Sequence, residues 1–556
     1  MYTISDYLLD LLNYLNVKDV LGVPGDYNLS FLDHITRRSD MKWRGNMNEL
    51  NAAYMADGYA RQNGMAVLVT TFGVGELSAV NGLSGSQAEK VPVLEIVGTP
   101  TLAAQYDQKL IHHSLGDGNF EHFQNVHKEL GFKVEAITKD DAISEINQVV
   151  KYVYENKQPG YLALPVDLTE MPVNPIFKQL IPSLFRNKNE PHDHLQNIEA
   201  ISNQLKNSHH PILIIGEDVQ RFHLQDVVRN FIINNDIPFA DMIESKGIID
   251  ETLPQFIGTY NGSLSKDLTN QLINKSDLIL LLGAILTDAN TGGFTQSFNS
   301  QNTIDINAKR INFYSKIINY NEQNGFVNLI KIISQTSLSQ SFPKGPHDSI
   351  NNKLPVPSDK PITQDFYTSA MSNFIQSDDT VIAEQGTSLF ALEQIKFPAN
   401  VKFICQPLWS SIGFSFPATL GSQLANPKRR NVLSIGEGSL LMTIQEMGFA
   451  VKYDLKPIIF VIDNHGYSVE RVIHGMHEPY NDVPALNYSL IPEAFGAKKN
   501  QYNYFDVRTE KELLMAMKSI ENNSSQLSIV RVSMAASDAP EDLKEFGKII
   551  AKQNKG

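Results

Sequence analysis

Three observations predict an α/β protein built from three doubly wound parallel-sheet domains. Apolar strand-like runs alternate with amphipathic helix-like runs from end to end. The alternation falls into three blocks, and two polar, proline-bearing stretches without periodicity, 171–194 and 339–361, read as linkers between them. A chain of 556 residues is also too long for one core, and about 150 residues per domain gives three or four domains. The expected boundaries are 1–180, 190–340 and 356–556.

The first block carries strands near 20–23, 66–71, 93–97 and 161–164. Gly22-Val23-Pro24-Gly25-Asp26-Tyr27-Asn28 follows the first of these and precedes the apolar Leu29, Phe31 and Leu32. Asp26 therefore lies at the C-terminal end of a strand, where open α/β sheets bind ligands. An aspartate there also serves as a turn or N-cap residue. Asn48-Glu49-Leu50-Asn51 opens a helix, where an early glutamate complements the helix dipole. His112-His113 sits in an exposed, glycine-bearing segment, 111–118. Two adjacent imidazoles can share proton transfer near neutral pH, although such pairs are also ordinary loop residues.

The second block has strands near 211–215, 278–282 and 303–306, and the third near 380–383, 403–405, 432–435, 458–462 and 528–532. In the third, Gly436-Glu437-Gly438-Ser439 leads into a helix-compatible run through Tyr453. Backbone N–H groups left free at such a turn suit a phosphate. The next strand delivers Asp463-Asn464-His465-Gly466-Tyr467 beside it. An acid, an Asn carbonyl and phosphate oxygens together form the all-oxygen set that Mg2+ accepts, although two strand-to-helix turns without a ligand would look much the same.

Composition narrows the field. Lys+Arg 47 against Asp+Glu 61 gives a net charge of −14, which argues against nucleic acid or an acidic membrane as partner. The single cysteine, Cys405, excludes an internal disulfide and fits a reducing cytoplasm. No secretory signal is expected at Met1–Asp6, and no window approaches the roughly 18 apolar residues of a membrane span. There is no H-E-x-x-H or C-x-x-C zinc motif and no G-x-x-x-x-G-K-[ST] phosphate loop. Gly73-Val74-Gly75 begins like a dinucleotide fingerprint, but Ser78 leaves it incomplete.

Taken together, these motifs resemble those of the thiamine-diphosphate-dependent 2-oxo acid decarboxylases. The likeness runs through 22–28, 48–61, 70–77, 111–118, 384–388, 407–417, 436–446 and 464–475, and in runs such as Tyr54-Met55-Ala56-Asp57-Gly58-Tyr59-Ala60-Arg61 it is closest to bacterial branched-chain and aromatic 2-oxo acid enzymes. The resemblance implies a thiamine-diphosphate-binding fold with pyrimidine-binding, middle and diphosphate-binding domains. It further implies a homodimer or homotetramer with its active sites at the subunit interface, and a small-molecule 2-oxo acid as substrate.

By the same resemblance Glu49 bonds the aminopyrimidine ring, while Asp26, His112, His113 and Glu470 hold the acids and bases. Ile412 wedges the cofactor into its bent form, Mg2+ takes Glu437, Asn464 and the Gly466 carbonyl, and Thr387, Ser410, Gly438 and Ser439 line the cofactor. Leu389, Phe390, Val469, Ile473, Phe546 and Ile550 match the substrate pocket, whose medium-sized apolar walls suit a branched or aromatic side chain. The family's G-D-G-S and N-N-D-G-Y motifs stand here as Gly436-Glu437-Gly438-Ser439 and Asp463-Asn464-His465-Gly466-Tyr467. Glu437 is thus one methylene longer than the usual ligand, and an altered metal affinity is expected from the strict geometry of Mg2+. An acetohydroxyacid synthase or benzoylformate-type carboligase, and a non-catalytic cofactor-binding protein with an impaired metal site, remain the alternatives.

Overall fold

The computed structural model describes residues 1–186, 195–314, 316–320, 324–338, 342, 356–523 and 525–554. The first sheet contains β1 (Asp19–Gly22), β2 (Lys42–Gly45), β3 (Ala66–Thr71), β4 (Val93–Thr99), β5 (Lys133–Ala136) and β6 (Gly160–Pro165). The second has β7 (Pro211–Ile215), β8 (Phe239–Asp241), β9 (Phe256–Thr259), β10 (Leu278–Leu282), β11 (Thr303–Ile306), β12 (Arg310–Phe313) and β13 (Lys316–Asn319). The third has β14 (Thr380–Ala383), β15 (Lys402–Ile404), β16 (Asn431–Gly436), β17 (Ile458–Asp463), β18 (Tyr502–Val507) and β19 (Leu527–Ser533).

The first sheet runs β2-β1-β3-β4-β6-β5 and the third β15-β14-β16-β17-β19-β18, the same order throughout. Every pairing in both is parallel. Their central strands are buried along their whole length, as strands covered by helices on both faces must be. In each sheet the winding reverses after its first strand, at β1/β3 and at β14/β16. Open α/β sheets bind ligands beyond the carboxyl ends of the strands at such a reversal.

Three expectations need revision. The middle sheet is parallel only in part, because β12 and β13 pair antiparallel at its edge. The stretch 171–194 is more than a linker: the helix Ile176–Leu184 packs on the helix Ile4–Tyr14, with Ile181 buried, while residues 187–194 lie outside the described residues. Most of the second stretch, 339–361, also lies outside them. The run after Gly436 is not one helix but Glu437–Thr443, a 3-10 turn at Ile444–Glu446, and Met447–Lys452.

One apolar core spans the first and third domains, joining Leu21, Ala53, Met55 and Tyr59 to Phe414, Ala418 and Leu420. At its centre the helices Glu49–Asn63 and Ser415–Ala425 approach closely. A Cβ on Gly58 would lie 2.1 Å from the Ala418 carbonyl oxygen, and one on Gly421 would lie 1.9 Å from that of Met55. Only glycine allows backbones to come that near.

Candidate active site

Most of the expected catalytic and cofactor residues gather at two places, one at the β1/β3 reversal and one at β14/β16. At the first, Asn48 caps the helix Glu49–Asn63, its side chain accepting the Asn51 N–H at 2.8 Å, which sets Glu49 at the first helical position. Glu49 Oε1 comes within 3.2 Å of where a side chain on Gly75 would begin, so glycine there leaves it room. Burial pushes the Glu49 carboxyl up, against its own backbone N–H and the Ser78 hydroxyl, which favour the charged form.

Asp26 follows β1, and its Oδ2 lies 2.6 Å from His112 Nε2. His113 Nε2 is 3.7 Å from the other oxygen, Oδ1. The Tyr27 ring stacks on His112 at 5.0 Å and 13°. The His113 carbonyl presses on Gly73, where a Cβ would lie 2.1 Å away. Thus the loop 111–118, β1 and β3 deliver one carboxyl and two imidazoles to the sheet end that carries Glu49. These groups stay open, with the Asp26 side chain 48% exposed and that of His112 61%.

At the second place, Glu384 is buried after β14. Its Oε2 accepts the Gly413 N–H at 3.0 Å and the Ser415 hydroxyl at 2.8 Å. Burial pushes this carboxyl up to about 6. Glu384 therefore fastens the loop in which Ser410 adopts a left-handed conformation and Ile412 stands half-exposed, unlike a core isoleucine. Gly386, also left-handed, turns the chain into the buried Thr387.

Beyond β16, space is open above Gly436, while Gly438 lies under the Tyr467 ring, 2.5 Å from where its Cβ would be. Ser439 and Glu437 are buried. Glu437 Oε1 accepts the Gly466 N–H at 2.6 Å, and burial pushes its carboxyl up to about 7. The buried Asn464 donates through Nδ2 to Ser468 Oγ at 2.8 Å, which fixes the orientation of its amide. Gly466 has φ +134, and a Cβ there would meet the Asn481 carbonyl at 2.0 Å, so this turn requires glycine.

Sequence reasoning missed the residues that hold this loop. Arg471, buried, donates to the Asn464 carbonyl at 3.1 Å and to that of His465, and pairs with Asp482 at 3.0 Å. Its only signal was a cation within one helical turn of the motif. Asp463, where the family has Asn, bonds Arg531 Nε at 2.6 Å, so the change adds an ion pair between β17 and β19. His465 points outward.

Glu437, Asn464 and Gly466 thus bring a carboxylate, an amide and a backbone carbonyl to one turn. That donor set is all hard oxygen and fits Mg2+. The open space at Gly436 beside Ser439 and Thr387 fits a diphosphate. Glu437 seats its carboxylate against the Gly466 N–H.

Glu470 is exposed on the helix Ser468–Ile473, which packs on Glu541–Gln553. Phe390, Val469 and Phe546 meet in a small apolar cluster, with the Phe390 and Phe546 rings 5.5 Å apart. Ile473 and Ile550 are half-buried on the same two helices. Leu389 instead packs into the main core of the third sheet with Phe366, Phe397 and Phe460.

Comparison with known proteins agrees with this architecture. Residues 2–123, 198–320 and 385–532 match the models of the thiamine pyrophosphate enzyme N-terminal TPP binding, central and C-terminal TPP binding domains. The fold is thus that of a thiamine pyrophosphate enzyme. Pyruvate decarboxylase isozyme 3 of Saccharomyces cerevisiae is 36% identical over 558 residues, covering 99% of both chains. Alpha-keto-acid decarboxylase of Mycolicibacterium paratuberculosis is 36% identical over 545 residues, covering 98% of this chain and 96% of its own. The fold is shared with Rhodococcus jostii RHA1 thiamine diphosphate-dependent 4-hydroxybenzoylformate decarboxylase, with a TM-score of 0.75 at 18% identity over 96% of this chain and 99% of that one. The chain belongs to the thiamine-diphosphate-dependent 2-oxo acid decarboxylases, which are carboxy-lyases.

Proposed function

We propose that the protein converts a 2-oxo acid with a branched aliphatic or aromatic side chain to the aldehyde and carbon dioxide, using Mg2+ with its thiamine diphosphate. The observation that carries the residue roles is the 2.6 Å contact between Asp26 and His112 at the sheet end that also bears Glu49. When bound, thiamine diphosphate supplies the nucleophile and the electron sink. Glu49 would hold the pyrimidine ring by donating a hydrogen bond to a ring nitrogen, which only a protonated carboxyl can do. Ile412, on the loop fastened by Glu384, would support the cofactor, and Thr387, Ser410, Gly438 and Ser439 would line it. Glu437, Asn464 and the Gly466 carbonyl hold the metal.

The 2.6 Å contact lets a proton pass between Asp26 and His112, which suits the pair to proton transfer, with His113 beside Asp26 and Glu470 supplied by the third domain. The bonds of Asp26, His112 and Glu49 described above run to the first domain, and those of Glu437 and Asn464 to the third. This division, with the exposure of Asp26 and His112, supports a site completed by a second copy, in a homodimer or homotetramer. The chain is read as cytoplasmic, in keeping with its single buried cysteine. Among the described residues no helix is long and apolar enough to cross a membrane.

Phe390, Val469 and Phe546 support the substrate class, since an apolar wall rewards a larger side chain. Aldehyde formation from pyruvate, 2-oxoisovalerate, phenylpyruvate and indolepyruvate, coupled to an alcohol dehydrogenase, tests it. 2-Oxoisovalerate or an aromatic acid is expected to exceed pyruvate in kcat/KM by about 10-fold or more. A preference for pyruvate would overturn the substrate class.

A further inference from the structure

Consecutive side chains of an extended segment point to opposite sides. The chain departs from that at His113, which is left-handed with φ +63, and both imidazoles of the 112–113 pair turn to one carboxyl. His112 Nε2 lies 2.6 Å from Asp26 Oδ2, and His113 Nε2 lies 3.7 Å from Asp26 Oδ1. One ligand atom from each of the three residues falls within 4.8 Å of the other two, and among the described residues no other three His, Cys, Asp or Glu side chains meet in this way. Ligand atoms held about 2.0–2.1 Å from a tetrahedral ion stand about 3.3–3.4 Å apart. The two separations to Asp26 straddle that spacing, so small side-chain rotations close the set round one ion.

The rings are held in the sense that ligation needs. The Tyr27 ring stacks on His112 at 13° and meets the His113 ring edge-on, with centroids 6.1 Å apart. The Tyr27 hydroxyl stands 3.5 Å from His112 Nδ1 and 3.4 Å from the His112 carbonyl. The far nitrogen of His112 thus faces a hydroxyl while Nε2 faces the carboxyl, and an outer partner of this kind is what orients a ligating histidine. The backbone is pinned as well, because the His113 carbonyl rests against Gly73. All three side chains reach solvent, which gives an ion a way in and leaves its remaining positions to water.

Donor type separates this group from the turn at Glu437. Two imidazoles and a carboxylate suit Zn2+, Cu2+ or Ni2+, whereas the all-oxygen set of Glu437, Asn464 and Gly466 suits Mg2+. We propose that Asp26, His112 and His113 form a second cation site, selective for a divalent transition metal of the Zn2+ class, and that an ion seated there switches the decarboxylase off. The ion takes the place of the hydrogen in the Asp26–His112 contact, so a proton is released on binding. Neither Nε2 is then left to carry a proton. The inhibition rests on the acid–base role given to this group above; the binding does not.

The test uses the full-length protein loaded with thiamine diphosphate and excess Mg2+, so that the Glu437 turn is already supplied. Zn2+ is titrated by calorimetry and against the rate of aldehyde formation, and Co2+ is followed by its visible spectrum. One Zn2+ should bind per subunit, the rate should fall in step with occupancy, and a chelator that takes Zn2+ but leaves Mg2+ should restore it. Bound Co2+ should show the intense visible bands of a four- or five-coordinate ion with nitrogen ligands. The double variant His112→Gln/His113→Gln should weaken Zn2+ by more than the roughly 10–100-fold that loss of an outer partner costs, whereas Asn464→Ala should leave Zn2+ affinity unchanged. Equal Zn2+ affinity in the double variant and the unmodified protein, or no binding in the presence of Mg2+, would overturn the site. Full binding with an unchanged rate would instead overturn the acid–base role of the group and the inhibition with it, so the two failures are told apart. Melting temperature checks the fold of the double variant. If it does not fold, His113→Gln alone should weaken Zn2+ by about 10-fold or more, and an unchanged affinity there overturns the site.

Discussion

Two carboxyls separate the chemistry of this site from its scaffolding. Glu49 is placed by a capped helix start and a glycine gap, so Glu49→Gln should lower kcat by about 100-fold or more while the melting temperature stays unchanged. Steady-state rates at saturating cofactor measure the effect. Glu437 spends one oxygen on the Gly466 N–H and is one methylene longer than an aspartate. Glu437→Asp should tighten Mg2+ about 10-fold in a titration of the apo-protein, and equal affinities would show that the longer ligand costs nothing. The identities of these residues were legible in the sequence because their motifs keep their order. Glu384, Arg471 and Tyr27 were not marked out, since a residue that acts through hydrogen bonds to a distant loop leaves no local pattern.

At the scale of elements, the buried strands were the legible ones. β3, β7, β10, β11 and β14 fall where their continuous apolar runs predict. The strands that escaped notice lie at or next to sheet edges: β2, β5, β12, β13 and β18 are mixed in polarity and largely half-buried or exposed. β8 and β9 are simply short. An edge strand is paired on one side only, so its side chains need not be apolar, and composition then says little. The contact of Glu49–Asn63 with Ser415–Ala425 carries the most exacting fit. Gly421→Ala, which puts a Cβ 1.9 Å from the Met55 carbonyl oxygen, should cost about 1–3 kcal/mol and lower the melting temperature by several degrees. A calorimetric scan with an unchanged midpoint would mean that the two helices can part without loss.

For the whole molecule, the first and third sheets share one strand order and place their site residues at the same reversal. That repetition is invisible in the residues, because the two domains keep a topology and not a sequence. The junction between them buries Glu446, which accepts Asn46 Nδ2 at 2.7 Å and Asn51 Nδ2 at 2.9 Å. Burial pushes Glu446 up to about 7. A carboxyl raised on folding stabilises the folded state in its protonated form. That contribution is whole below the unfolded value near 4.5 and is lost as pH rises through about 7. Glu446→Gln should therefore gain stability relative to the unmodified protein between pH 5 and about 8, seen as a growing difference in melting temperature. The proposed site completed by a second copy predicts that a subunit defective at Glu49 and one defective at Asn464 regain activity when mixed as hybrids, because one of the two sites of the hybrid dimer then carries both intact halves.

The most direct test is to incubate the purified chain with thiamine diphosphate, Mg2+ and 2-oxoisovalerate and to measure aldehyde and carbon dioxide together. The two products should appear in equal amounts from the unmodified protein and fall to background in Glu49→Gln. Absence of both products with 2-oxoisovalerate, phenylpyruvate, indolepyruvate and pyruvate alike, cofactor and metal present, would contradict the account.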